Sequence, residues 1–139
     1  MRVYLYYVGK ACDARLNAVA AEYIERARRY SRCEMREVRP SRFDPFERHP
    51  GARVAALDAA GRPLDSAQFT RLVARAEQEG RDLVFLVGGA DGLPALWRER
   101  AELLWSLSPL TFPHELARVI LAEQIYRAFT ALRGHPYPR

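Results

Sequence analysis

The chain has only two cysteines, Cys12 and Cys33, and neither lies in a CxxC pair or beside a histidine cluster. No disulfide framework and no metal site is expected from them, so they read as ordinary thiols of a reducing compartment. Long apolar runs are missing too, since no stretch reaches the roughly 18 residues a bilayer crossing takes. The opening segment Met1 to Gly9 is apolar but short, alternates tyrosine with aliphatics and has no small-residue cleavage site. It is therefore expected to be the first strand of a cytoplasmic protein. Lysine is almost absent, with Lys10 as its single instance, and the net charge of +5 rests on arginine. There is no internal repeat and no low-complexity tract, and no glycines take the GxGxxG spacing of dinucleotide binders.

At 139 residues the chain suits one domain, 1–139, with a single sheet covered by helices and no room for a separate RNA-binding module. Arginine's bidentate fork suits phosphate. The accompanying excess of alanine fits a compositional bias equally well, so charge alone leaves the partner open.

Apolar periodicity predicts strands over Arg2–Val8, Cys33–Val38, Arg53–Leu57, Leu83–Val87 and Leu103–Leu107. Helices are predicted over Asp13–Tyr30 with Asp13 as cap, from a Ser66 cap to just before Gly80, and over His114–Leu132. Residues Arg39–Gly51, with three prolines and a glycine, read as a mobile loop, and Asp58–Pro63 as a turn. Leu83–Val87 is an uninterrupted apolar run, as in a strand buried on both faces. Alternating strands and helices predict an α/β sandwich around a mostly parallel sheet.

In open α/β sheets ligands bind beyond the carboxyl ends of the strands. Three unusual loops fall there: Leu57–Gly61, Gly88–Gly92 and Leu107–His114. Gly88 and Gly89 would allow close backbone approach to a ligand or positive φ, though a Gly-Gly after a strand also fits a plain turn. The third loop alternates aliphatic and hydroxyl side chains, which could sandwich a flat base while the backbone reads its edge. Packing of Leu110 and Phe112 into the core would explain the same residues.

These blocks, Val87-Gly88-Gly89-Ala90-Asp91-Gly92, Trp105 to His114 and the ending Gly134-His135-Pro136-Tyr137-Pro138-Arg139, resemble the SPOUT-class RNA methyltransferases. The likeness is greatest to the ribosomal RNA large subunit methyltransferase H (pseudouridine N3-methyltransferase) family. It implies a C-terminal trefoil knot, which periodicity could not have suggested because knots are so rare. It also implies S-adenosylmethionine in a crevice held by Leu57, Gly88, Gly89, Leu107, Ser108, Pro109, Leu110, Thr111 and Phe112. The resemblance implies a homodimer packed through the last helix, with Ile120 and Phe129 among the largest candidate contacts. The tyrosine-containing tail is implied to border the donor, making His135 and Tyr137 candidate proton acceptors. Arg118, Arg133 or Arg139 would supply positive charge. Two departures stand out: Pro138 replaces the histidine usual after the tyrosine, and the 40–53 region is short.

The expected reaction is methylation of N3 of a pseudouridine in large-subunit (23S) ribosomal RNA on the assembled ribosome, with no metal and no membrane. Alternatives are another RNA nucleotide as substrate, or a non-catalytic ribosome- or RNA-binding dimer. Arg26, Arg28, Arg29 and Arg32 are the expected RNA contacts outside the crevice.

Overall fold

A computed structural model describes residues 1–137, and Pro138 and Arg139 lie outside the described residues. Five strands, β1 (Arg2–Val8), β2 (Arg32–Val38), β3 (Arg53–Pro63), β4 (Leu83–Val87) and β5 (Leu103–Ser106), form one sheet in the order β2-β1-β4-β3-β5. Every pairing is parallel. All five residues of β4 are buried, which puts the chain's most apolar run in the middle of the sheet.

Alternate residues of the central strands feed two cores. On one face Leu5, Ala55, Leu83 and Phe85 pack with α1 (Ala14–Ala27), α3 (Ser66–Glu79) and α5 (His114–Leu132). On the other, Tyr6, Val54, Val84 and Leu86 meet Trp97 of the short α4 (Ala95–Arg100) and Phe46 of α2 (Pro45–Arg48). The period of two in the strands is what makes a three-layer α/β architecture from a single chain.

Several boundaries differ from the sequence expectation. Helix α1 is capped by Asp13 but stops at Ala27, where the Tyr30 N–H donates to the Ala27 carbonyl at 2.9 Å and begins a tight turn. Helix α3 is capped by Asp65 rather than Ser66, because Gln68 reaches back to the Asp65 N–H and completes a capping box. The 39–51 segment contains α2, started by Asp44 and Pro45. Helix α4 was not expected; Trp97 anchors it to the sheet. The expected turn at 58–63 is the outward bulge of a continuous β3: Leu57 and Arg62 both pair with Trp105, and residues between them loop away from the ladder.

The two thiols differ in environment. Cys12 is exposed and Cys33 is buried, and burial pushes the Cys33 thiol up to about 12. An alkylating reagent at pH 8 is expected to label Cys12 alone in the native protein and both after denaturation; rapid native labelling of Cys33 would contradict its place under α1.

Candidate functional site

Parallel strands send all their carboxyl ends to one edge of the sheet, and there β3, β4 and β5 end beside one another. A cavity of about 410 Å³ opens at that edge, within the usual range for a small-molecule site. Leu57, Gly88, Gly89, Leu107, Ser108, Leu110, Thr111 and Phe112 all line it; of the nine residues expected to hold the donor, only Pro109 does not.

Each wall has its own local cause. In the β3 bulge, Asp58 accepts the Ala60 N–H at 2.8 Å and pairs through its other oxygen with Arg98 Nε at 2.7 Å. This ties the bulge to α4. The bulge also presses on β5, since a Cβ on Gly61 would lie 2.6 Å from the Leu104 carbonyl carbon. In the second wall the Gly92 N–H donates to the Gly89 carbonyl at 3.0 Å, with Gly92 at φ +75°. In the third, the Ser106 hydroxyl donates to the Ser108 carbonyl at 3.0 Å and the Ser108 hydroxyl accepts the Leu110 N–H at 2.9 Å. Leu110 is thereby held on the lip, 72% exposed.

The glycines at 88 and 89 line the cavity as expected and also serve the protein's own packing. Neither takes positive φ. A Cβ on Gly88 would come within 2.7 Å of the Gly92 carbonyl carbon, and one on Gly89 within 2.6 Å of the Val8 carbonyl oxygen. Their small size lets the 88–92 turn close on itself at Gly88 and pack on the end of β1 at Gly89, and the cavity wall is the result.

The floor is Trp105, 2% exposed and stacked on Phe69 with centroids 4.7 Å apart. Its indole N–H is buried with no partner among the described residues. Asp58, Asp91 and His114, which lie within the three expected loops but were not singled out, also line the cavity, and so does Arg98, which the sequence reading missed. Asp58 and Arg98 lie forty positions apart with no pattern linking them, so nothing short of the fold could pair them.

Of the residues proposed from the sequence for proton transfer and charge, none of the four that are described, Arg118, Arg133, His135 and Tyr137, lines the cavity. Arg118 is 2% exposed, with its guanidinium carbon 3.8 Å from the Tyr7 ring centroid and its Nη2 3.4 Å from Glu115 Oε1. Glu115 accepts the N–H groups of Cys12 and Asp13, so this pair braces the entry to α1. Tyr137 donates to Glu123 at 2.6 Å and packs on Tyr126, and burial together with this hydrogen bond holds the phenol well above its ordinary range. His135 is exposed beside Tyr30. Arg133 forks onto Glu77 at 3.0 and 2.5 Å, joining the end of α5 to α3. The expected positions Pro138 and Arg139 lie outside the described residues. Among the described residues there is no group of three or more His, Cys, Asp or Glu placed to hold a metal ion, and no helix is long and apolar enough to cross a membrane.

Residues 1–138 match the family described as "Predicted SPOUT methyltransferase". The chain is 60% identical to the ribosomal RNA large subunit methyltransferase H of Solibacter usitatus over 139 residues, covering all of both chains. The protein of the same name from Sorangium cellulosum is 45% identical, with 99% of each chain covered. The Solibacter relative thus shares the short overall length. Among solved structures, a "probable methylase family protein" from Haemophilus influenzae matches with a TM-score of 0.65 at 8% identity, over 99% of this chain and 70% of that one. A "probable methyltransferase" from Bordetella pertussis matches at 0.60 and 14%, over 92% and 96%. At those identities the solved structures speak for the fold alone.

Proposed function

Because the chain belongs to the SPOUT methyltransferase family, we propose that it moves a methyl group from S-adenosylmethionine to N3 of a pseudouridine in large-subunit ribosomal RNA, on the assembled ribosome. One observation carries this reading: three segments distant in sequence, around Leu57, Gly88 and Leu107–Phe112, converge on a single cavity. The names of the relatives support ribosomal RNA as the substrate class.

The residues suit the donor. Leu57, Leu107, Leu110 and Phe112 offer apolar surface to a flat base, and the 107–112 backbone offers polar groups to its edge. Asp91 has no ion-pair partner among the described residues and suits a cationic ligand. When bound, the donor supplies an already activated electrophilic methyl group. The protein's own task is then to align N3 with it, to take the imide proton and to stabilise the negative charge left behind. In this reading Arg118, which follows the cavity-lining Ala117 and is paired with Glu115, supplies that charge once it turns from its place against Tyr7.

The proton acceptor comes from a second copy in this reading. His135 and Tyr137 line no part of their own chain's cavity, whereas a homodimer packed through α5 would deliver one subunit's tail to the other's site. Phe129 cannot serve that contact because it is fully buried in the core; the half-exposed Leu116 and Ile120 remain available. The trefoil knot belongs to the same proposal, supported by the crossover of the chain from β4 past β3 to β5 before α5 returns onto α1 and α3.

Nucleoside mass spectrometry of ribosomal RNA from a deletion strain is expected to show one pseudouridine lacking its N3 methyl group. Loss of a different methylated nucleotide would replace the substrate, and an unchanged profile would leave a non-catalytic binder. Gly88→Val is expected to abolish S-adenosylmethionine binding in calorimetry by forcing the 92–93 backbone outward, at about 1–3 kcal/mol of stability; unchanged affinity would remove this wall from the site.

A further inference from the structure

A second concavity, of about 410 Å³, runs between α3 and the β3–β5 edge of the sheet. Four guanidinium groups surround it: Arg53 and Arg62 from the two ends of β3, and Arg71 and Arg75 from one stripe of α3. No carboxylate among the described residues lines it. Arg75 has Glu79 at 3.4 Å, while Arg62 and Arg71 have no ion-pair partner among the described residues. Arg53 has only Glu102, 3.9 Å away and itself held more closely by Arg81, and its Nε is buried without a hydrogen-bond partner. A buried donor left unpaired costs free energy until an acceptor arrives. Gln68 gives its carbonyl oxygen to the helix cap, which leaves its amide N–H groups available to the groove.

We infer that this groove grips the phosphate backbone of the substrate RNA beside the methylated nucleotide. The inference rests on the functional reading above. Guanidinium forks match phosphate oxygens, and several cations around an open trough suit a polyanion better than one small anion. A second copy of the chain is a poor occupant, because apposed grooves would bring eight guanidinium groups together. Position ties the groove to the chemistry: Leu57 lines the cavity, Arg62 lines the groove, and both pair with Trp105 across the same bulge. RNA lying in the groove therefore passes the mouth of the cavity. Of the rival arginines on and after α1, Arg26 pairs with Glu22 at 2.7 Å and Arg28 with Glu25 at 2.6 Å, whereas Arg29 and Arg32 have no ion-pair partner among the described residues and form the rival patch.

The test compares Arg62→Gln/Arg71→Gln with Arg29→Gln/Arg32→Gln, a double change of equal charge on the rival patch. Binding to purified ribosomes is measured from 50 to 200 mM salt, with S-adenosylmethionine affinity measured in parallel. The groove variant is expected to flatten the log–log salt slope by about 2, so that its deficit against wild type shrinks about tenfold across that range. Its donor affinity should stay unchanged. Equal effects from both pairs would reduce the result to net charge and overturn the groove, as would a slope that moves only in the rival pair. A wild-type protein that binds the donor but not ribosomes would sink the functional reading together with the groove, whereas failure confined to the groove variant's slope sinks the groove alone.

Discussion

Replacing Trp105 with alanine is expected to cost about 3–5 kcal/mol, as for other large aromatics removed from a core. That is a large share of the 5–15 kcal/mol by which domains of this kind are stable. The ring is 2% exposed, stacked on Phe69 at 4.7 Å with Phe85 at 6.4 Å, and its backbone anchors both arms of the β3 bulge. The neighbours cannot all collapse into the space, because Phe69 is fixed by α3 and Phe85 by the central strand. Urea denaturation reads the loss as a lower midpoint with an unchanged slope. Trp105→Phe keeps an aromatic contact with Phe69 and should recover more than half of the stability. A cost below about 1 kcal/mol for the alanine variant would mean that the ring does not bridge core and cavity.

Removing the tail after Arg133 is expected to lower methyl transfer by about a hundredfold, the loss typical of a positioned acid or base, and to leave S-adenosylmethionine affinity within a few-fold. The described part of the tail is separate from every segment that lines the cavity. Tyr137, held above its ordinary range against Glu123, is a poor proton acceptor as it is docked. Its phenol is therefore expected to act as an anchor, so that Tyr137→Phe costs a few-fold and His135→Gln most of the truncation's loss. Mixing tail-truncated subunits with Gly88→Val subunits tests delivery between copies, since a mixed dimer regains one complete site if the tail acts across the interface. Wild-type transfer by the truncated protein would end any catalytic role for His135 and Tyr137, and failure of the mixture to recover activity would end the exchange.

The amino-acid sequence by itself determined the elements whose physics is local. Leu83–Val87 had to be a doubly buried strand because all five of its side chains are apolar, and the segment from His114 to Leu132, apolar on more than one stripe, had to be a helix covered on several sides. The three loops at the strand ends were also legible, since glycine, serine and proline mark chain reversals wherever they cluster, and family resemblance singled out the same segments. Only the tertiary structure decided what those loops do to one another. Gly88 and Gly89 are small because backbone, that of Gly92 in the same turn and that of Val8 at the end of β1, passes within 3 Å of where a Cβ would stand. Asp58 found Arg98, and Arg118 found Tyr7, through a sheet order that no spacing encodes. The tail's distance from the cavity and the arginine groove beside β5 have the same cause. Strand and helix periods depend on neighbours a few residues away, whereas a site assembled from crossing strands depends on which elements pack together, and that is settled by the burial of the whole chain at once.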